Sequence, residues 1–346
     1  MDLIYLLSDK ELYDQALIFK QNHNYDYYIT YMTMAANYGY PDAIENIYKC
    51  ETYKKQNYAM TKNFYETTAY KNEIPNAYSI HFLAYMYESE LGVKRDYLKA
   101  IELYNVSISK GCIYSLANLA DLYEHGLGCD RDYNKAIKLY EIAIKEGCIN
   151  SLCNLGYLYA NRIDNNKDYI KAIYFYKNAI EKENVPALNN LGYMYQHGLG
   201  IQKNYLIARE LYEKAIEKGN VWALNNLGYL YDHGLGIQKN YLIARELYEK
   251  AIEKGNVVAL NNLGYMYQHG MGVQENNLKA CELYEKAIER KNINMLHNLI
   301  LIYKIDTLTN YNKIIKLYKI GCDANDSKSI EMMTQLLKIG SLETEK

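Results

Sequence analysis

The sequence predicts an all-α fold, an α-solenoid built from helix pairs with a period of 36 residues. Three observations carry this. First, residues 187–222 recur at 223–258 with three changes only: Met194/Leu230, Gln196/Asp232 and Trp222/Val258. A third copy opens at Ala259 (ALNNLGYMYQHG), again 36 residues on. Self-similarity at such a period is the mark of stacked repeats, in which each unit leans only on its neighbours. Second, each copy holds two apolar stripes at helical spacing. Third, glycines and capping residues return at the same repeat positions.

Within one copy, Asn184 is placed to cap the first helix, whose stripe is Leu188, Leu191, Gly192 and Tyr195. Gly198-Leu199-Gly200 ends it, glycine supplying the left-handed turn. Asn204 caps the second helix, with Tyr205, Ala208, Tyr212 and Ala215 as its core stripe. The caps recur as Asp96, Asp132, Asp168, Asn204, Asn240 and Asn276. Gly192, Gly228 and Gly264, with Ala84 and Ala120, hold one small position. A glycine costs about 1 kcal/mol relative to alanine inside a helix, so three in register predict a close helix crossing.

The pattern loosens toward both ends. Residues 1–22 are expected to form an N-terminal capping helix and 23–73 divergent repeats, with Tyr25 and Tyr58 out of register. The regular repeats span 74–291. A divergent repeat follows at 292–322, then a C-terminal capping helix and tail at 323–346. Asn161 to Asn166 replaces the Gly-x-Gly turn, so a differently shaped loop is expected there.

Composition excludes several classes. A net charge of −2 gives no basic field for nucleic acid or an anionic membrane. No apolar run reaches the roughly 18 residues of a membrane span, and the N-terminus lacks the features of a signal peptide. Membrane insertion is therefore not expected, and a cytoplasmic location is. Seven cysteines without a C-x-x-C pair suit reduced thiols used as small core residues. Abundant Asn, Lys, Ile and Tyr, with Tyr 41 against Phe 4, point to an AT-rich genome such as large DNA viruses and protists carry.

The recurring pattern A-x-x-x-L-G-x-x-Y-x-x-G-x-G-[VI] followed by [DN]-Y-x-x-A-x-x-L-Y-x-x-A-I-x-x-G resembles the Sel1-like repeat, a relative of the tetratricopeptide repeat. Ala187, Leu191, Gly192, Tyr195, Gly198, Gly200, Ile201, Tyr205, Ala208, Ala215 and Gly219 carry the match. The resemblance implies a right-handed superhelix of antiparallel helix pairs. It also implies a non-catalytic adaptor or scaffold, with the first helix of each pair on the concave wall.

On that geometry the candidate binding residues are Asn189, Tyr193 and Gln196, repeated as Asn225, Tyr229 and Asp232 and as Asn261, Tyr265 and Gln268. Asparagine can donate and accept at once toward a peptide backbone, and tyrosine offers contact area at low entropic cost. The partner expected is a protein or peptide. Trp222, the only tryptophan, reads as inter-repeat packing or as a binding anchor, with packing favoured. His125, His197, His233 and His269 share one position before a glycine. They read as residues facing a helix C-terminus and not as zinc ligands, because side chains on successive layers are too far apart to converge on one ion. No metal, cofactor or catalytic group is expected. Gly198-Leu199-Gly200 follows a helix, the wrong context for a phosphate loop. Two alternatives stand beside the adaptor reading. One is a hydrolase of the β-lactamase-like kind linked to cysteine-rich Sel1 proteins, whose cysteine pattern is absent here. The other is a structural spacer without a ligand.

Overall fold

The computed structural model describes residues 9–21, 32, 77–162 and 167–343. Every regular element among them is helical. The divergent repeats at Tyr25 and Tyr58 lie outside the described residues, as does most of the loop that replaces the Gly-x-Gly turn.

The chain divides into two compact units, residues 1–182 and 183–346. The first holds α1 (Asp9–Gln21), α2 (Ala77–Ser89), α3 (Tyr97–Ser109), α4 (Tyr114–His125), α5 (Tyr133–Lys145), α6 (Ile149–Asn161) and α7 (Tyr169–Glu181). The second holds α8 (Val185–His197), α9 (Tyr205–Glu217), α10 (Val221–His233), α11 (Tyr241–Glu253), α12 (Val257–His269), α13 (Asn277–Glu289), α14 (Leu296–Tyr303), α15 (Thr307–Asp323) and α16 (Ser327–Glu343). In each unit successive helices pack as pairs, and each pair packs on the next through its second helix: α9 on α10 and α11 on α12, for example. This is the all-α solenoid arrangement.

The local signals do what their chemistry requires. The Asn204 side chain accepts from the free N–H groups of Leu206 and Ile207, and Asn240 accepts from Leu242 and Ile243 at 3.1 Å each. Asp96, Asp132, Asp168 and Asn276 each accept from the backbone N–H three residues on. At the other end of α8, Gly198 takes φ +69° and returns its N–H to the Met194 carbonyl. The loop then folds back, Asn204 N–H donating to the Tyr195 carbonyl at 3.0 Å. Asn240→Ala is expected to cost about 1 kcal/mol by urea unfolding, and Asn240→Asp much less, since aspartate already serves this position in the first unit. Equal losses for the two variants would contradict the capping assignment.

The core lies between the helices of each pair and between pairs. Ala208, Tyr212 and Ala215 of α9 are all completely buried, as are Ala244, Tyr248 and Ala251 of α11. The glycine row explains how so large a ring fits. A Cβ built on Gly192 would stand 2.7 Å from Cε1 of Tyr212, and one on Gly228 would stand 2.8 Å from Cε1 of Tyr248. The close crossing expected from the sequence is thus a tyrosine ring seated on bare backbone. Cys112, Cys148, Cys153 and Cys281 are buried and form no disulfide. Past α13 the register shifts. The last helix begins after Asp326, which accepts from the Ser329 N–H and from His297.

Candidate binding face

Four of the buried tyrosines present their hydroxyls to the last turn of the preceding helix. Tyr212 donates to Oε1 of Gln196 at 2.8 Å, Tyr284 to Oε1 of Gln268 at 2.8 Å and Tyr140 to Oε2 of Glu124 at 3.1 Å. Tyr104 donates to Glu88. A second partner comes from the following pair: Asn118 Nδ2 donates to the Tyr104 hydroxyl at 2.8 Å, and Asn154 and Asn298 bond Tyr140 and Tyr284 in the same way. A polar atom that would be costly to bury is thereby satisfied from both sides. Asp232, a methylene shorter than glutamine, faces Tyr248 from the same position. Burial raises the pKa of Glu88 and of Glu124 to about 7, against the lowering effect of their tyrosine hydrogen bonds.

This changes the assignment of part of the expected binding row. Gln196 and Asp232 are buried, and Gln196 and Gln268 complete the core by accepting from tyrosine. The reason is helical geometry: each lies one turn beyond the core glycine, on the flank over which the tyrosine ring passes. Asn225 and Asn261 are buried as well. They belong to an amide chain between repeats. Asn262 Nδ2 donates to Asn225 at 2.8 Å, Asn226 Nδ2 donates to Asn189 at 2.9 Å, and Asn261 Nδ2 donates to Asn292 at 2.9 Å. The expected row omits the second asparagine of each pair, although the sequence carries its signal: Asn118, Asn154, Asn190, Asn226, Asn262 and Asn298 stand 36 apart.

What remains open to solvent is aromatic. Tyr193 and Tyr265 are exposed and Tyr229 is half-buried. Each ring packs on the histidine one turn later, with centroids 4.2 Å apart for Tyr193–His197, 4.0 Å for Tyr229–His233 and 4.2 Å for Tyr265–His269. The histidines also meet the helix ends, as expected: His233 Nδ1 lies 3.1 Å from the Tyr229 carbonyl and His125 Nδ1 lies 3.0 Å from that of Asp121. Burial and nearby Lys203 hold the His197 pKa below its usual value, favouring the neutral ring. Trp222 is 56% exposed on the same stripe of α10 as Tyr229, so the structure does not place it in inter-repeat packing. Helices α8, α10 and α12 carry no Lys, Arg or Glu, and their one acid, Asp232, is buried. The band therefore has no exposed lysine, arginine or carboxylate of its own. Helix α9, by contrast, carries Arg209, Glu210, Glu213, Lys214 and Glu217.

Among the described residues one cluster has metal-type donors, Asp121, Glu124 and His125, with ligand atoms within 4.8 Å of one another. Glu124 is already bonded to Tyr140, and His125 sits 3.4 Å from Asp121.

The Sel1 repeat family model matches residues 77–112, 113–148, 149–184, 185–220, 223–256 and 257–292. These segments cover more than half of the chain, which belongs to the Sel1 repeat family. No curated protein matches significantly. Among solved structures, a Sel1 repeat protein from Oxalobacter formigenes is 28% identical with a TM-score of 0.56, covering 68% of this chain and all of that one. The protective antigen c5321 of uropathogenic Escherichia coli, which displays the same repeat fold, is 25% identical with a TM-score of 0.50 over 93% of this chain and 70% of that one. Yeast Tom70, at 16% identity and a TM-score of 0.53 over 92% of this chain and 61% of that one, shares the fold. The hydrolase alternative gains no support from these matches. No helix among the described residues is long and apolar enough to cross a membrane.

Proposed function

We propose that this chain is a non-catalytic adaptor or scaffold that binds a protein or peptide partner on the solvent face of its first helices. Tyr193, Tyr229, Tyr265 and Trp222 supply the contact area, with Asn189 at its edge. The resemblance makes this face the inner wall of the solenoid. One observation supports the reading above the others: an aromatic band with no exposed lysine, arginine or carboxylate of its own, in a protein whose second helices are studded with charge. Aromatic side chains with polar tips are the usual energetic anchors of interfaces. Family membership agrees, since Sel1 repeats commonly serve as protein-interaction scaffolds.

The test is affinity capture with the wild-type chain and with Tyr193→Ala/Tyr229→Ala. A specific partner is expected to be retained by the former and weakened at least tenfold by the double change, about 1.4 kcal/mol or more. Glu210→Ala on the charged face should leave capture unchanged. A partner indifferent to the tyrosines would remove this face as the site, and no saturable partner at all would favour a spacer.

A further inference from the structure

We infer that the occupant of the aromatic band is an uncharged, proline-rich segment of a partner chain in the polyproline II conformation, an inference that rests on the adaptor reading above. The argument starts from spacing. In the second unit, direct asparagine contacts of 2.9 Å (Asn226 to Asn189) and 2.8 Å (Asn262 to Asn225) tie the first helices of successive repeats side by side. Helices packed in this way lie about 8–10 Å apart. Tyr193, Tyr229 and Tyr265 occupy equivalent positions on α8, α10 and α12, so the aromatic rows repeat at about that interval.

A bound chain must present the same side to the surface at the same interval. Polyproline II does so every three residues, at about 3.1 Å each, or roughly 9.3 Å per turn. A β-strand presents one side every two residues, roughly 6.6–6.8 Å, and a step of three turns the side chain away. The strand therefore falls out of phase after one repeat, whereas the proline helix stays in phase over three.

Chemistry selects in the same direction. The band offers ring faces, hydroxyls and the indole N–H, with no lysine, arginine or carboxylate on α8, α10 or α12 outside buried Asp232. A basic peptide would find no accessible anion on these helices, and Lys203 stands near His197 at the end of α8. A polyproline II segment asks for what is present: apolar ring contact for its prolines, and donors for backbone carbonyls that make no internal hydrogen bonds. The tyrosine rings are held in advance by their histidine contacts, which lowers the cost of ordering them on binding. These 346 residues do not themselves supply such a segment, since they contain three prolines only, Pro41, Pro75 and Pro186.

Trp222 makes the experiment direct. As the single tryptophan, on the stripe shared with Tyr229, it can be excited alone and reports on this face. Titration with a nonaproline peptide is expected to give a saturable blue shift, with half-saturation below about 1 mM. A Gly-Ser nonamer should give none. Tyr193→Ala/Tyr229→Ala/Tyr265→Ala should weaken binding at least tenfold while the thermal midpoint stays put; Glu210→Ala should change neither. Saturation unaffected by the triple change would overturn the site. If nonaproline fails while a captured partner still depends on Tyr193 and Tyr229, the proline inference falls and the adaptor reading stands. If both fail, both fall.

Discussion

Tyr212→Ala is expected to lower unfolding free energy by about 3–5 kcal/mol, the range for deleting a buried aromatic ring. Tyr212→Phe should cost about 1–2 kcal/mol, because it removes only the hydroxyl and leaves buried Gln196 without its donor. Tyr212 is completely buried, its ring edge so near the Gly192 backbone that a Cβ there would stand 2.7 Å away. The cavity cannot close easily. Ala208 and Ala215 flank the ring on the same helix and are themselves fully buried, so the helices already stand as near as those side chains allow. In a solenoid the damage is local, since each repeat draws stability from its own packing and from its neighbours. Hydrogen exchange should accelerate first in α8, α9 and α10. Urea unfolding and exchange read the two effects together. Should phenylalanine prove as damaging as alanine, the hydroxyl network and not the ring would be what binds the layers.

How far the sequence alone reaches is clearest at this contact. The helix pairs, the caps and the recurrence of small and large residues are written locally and repeated, so the periodicity by itself marks Gly192 and Tyr212 as core positions, while their contact with each other is seen only in the fold. The fate of Gln196 is not written that way. A polar residue three positions after an exposed tyrosine looks solvent-facing until one knows which flank of α8 the next helix covers. That information sits in a contact made 16 residues later. Asn225 and Asn226 show the same limit. As adjacent letters they look like one polar motif, yet Asn225 is buried accepting from Asn262 while Asn226 donates back to Asn189. Trp222 fails in the opposite direction. In otherwise near-identical copies its position reads as filler between layers, and only the rotation of one helix against the next decides that it faces solvent. Periodicity reports which residues are equivalent; their exposure depends on the inter-repeat angle.

Glu124→Gln is expected to remove a pH dependence that opposes folding above neutral pH. Loss of solvent is the largest cause of the raised Glu124 pKa, with Asp121 on the same helix adding to it. His125 and the Tyr140 hydroxyl lower it in part. An acid whose folded pKa exceeds its unfolded value holds more protons when folded. Its contribution to stability is therefore complete below the unfolded value of 4.5 and is lost as pH rises through the folded value of about 7. The loss at full ionisation is about 3 kcal/mol. Glu88, beside Tyr104 and also facing Asp121, shifts the same way for the same first reason and adds to the slope. The repeat supplies its own control, for Gln196 and Gln268 show that an amide accepts from the core tyrosine at 2.8 Å. The glutamine variant should thus match the wild type near pH 4.5, exceed its stability by about 3 kcal/mol at pH 8, and flatten the curve between. Urea unfolding across that range decides it. A variant whose stability falls with pH as steeply as the wild type would show that Glu124 keeps its charge inside the fold at little cost, and that the slope arises elsewhere.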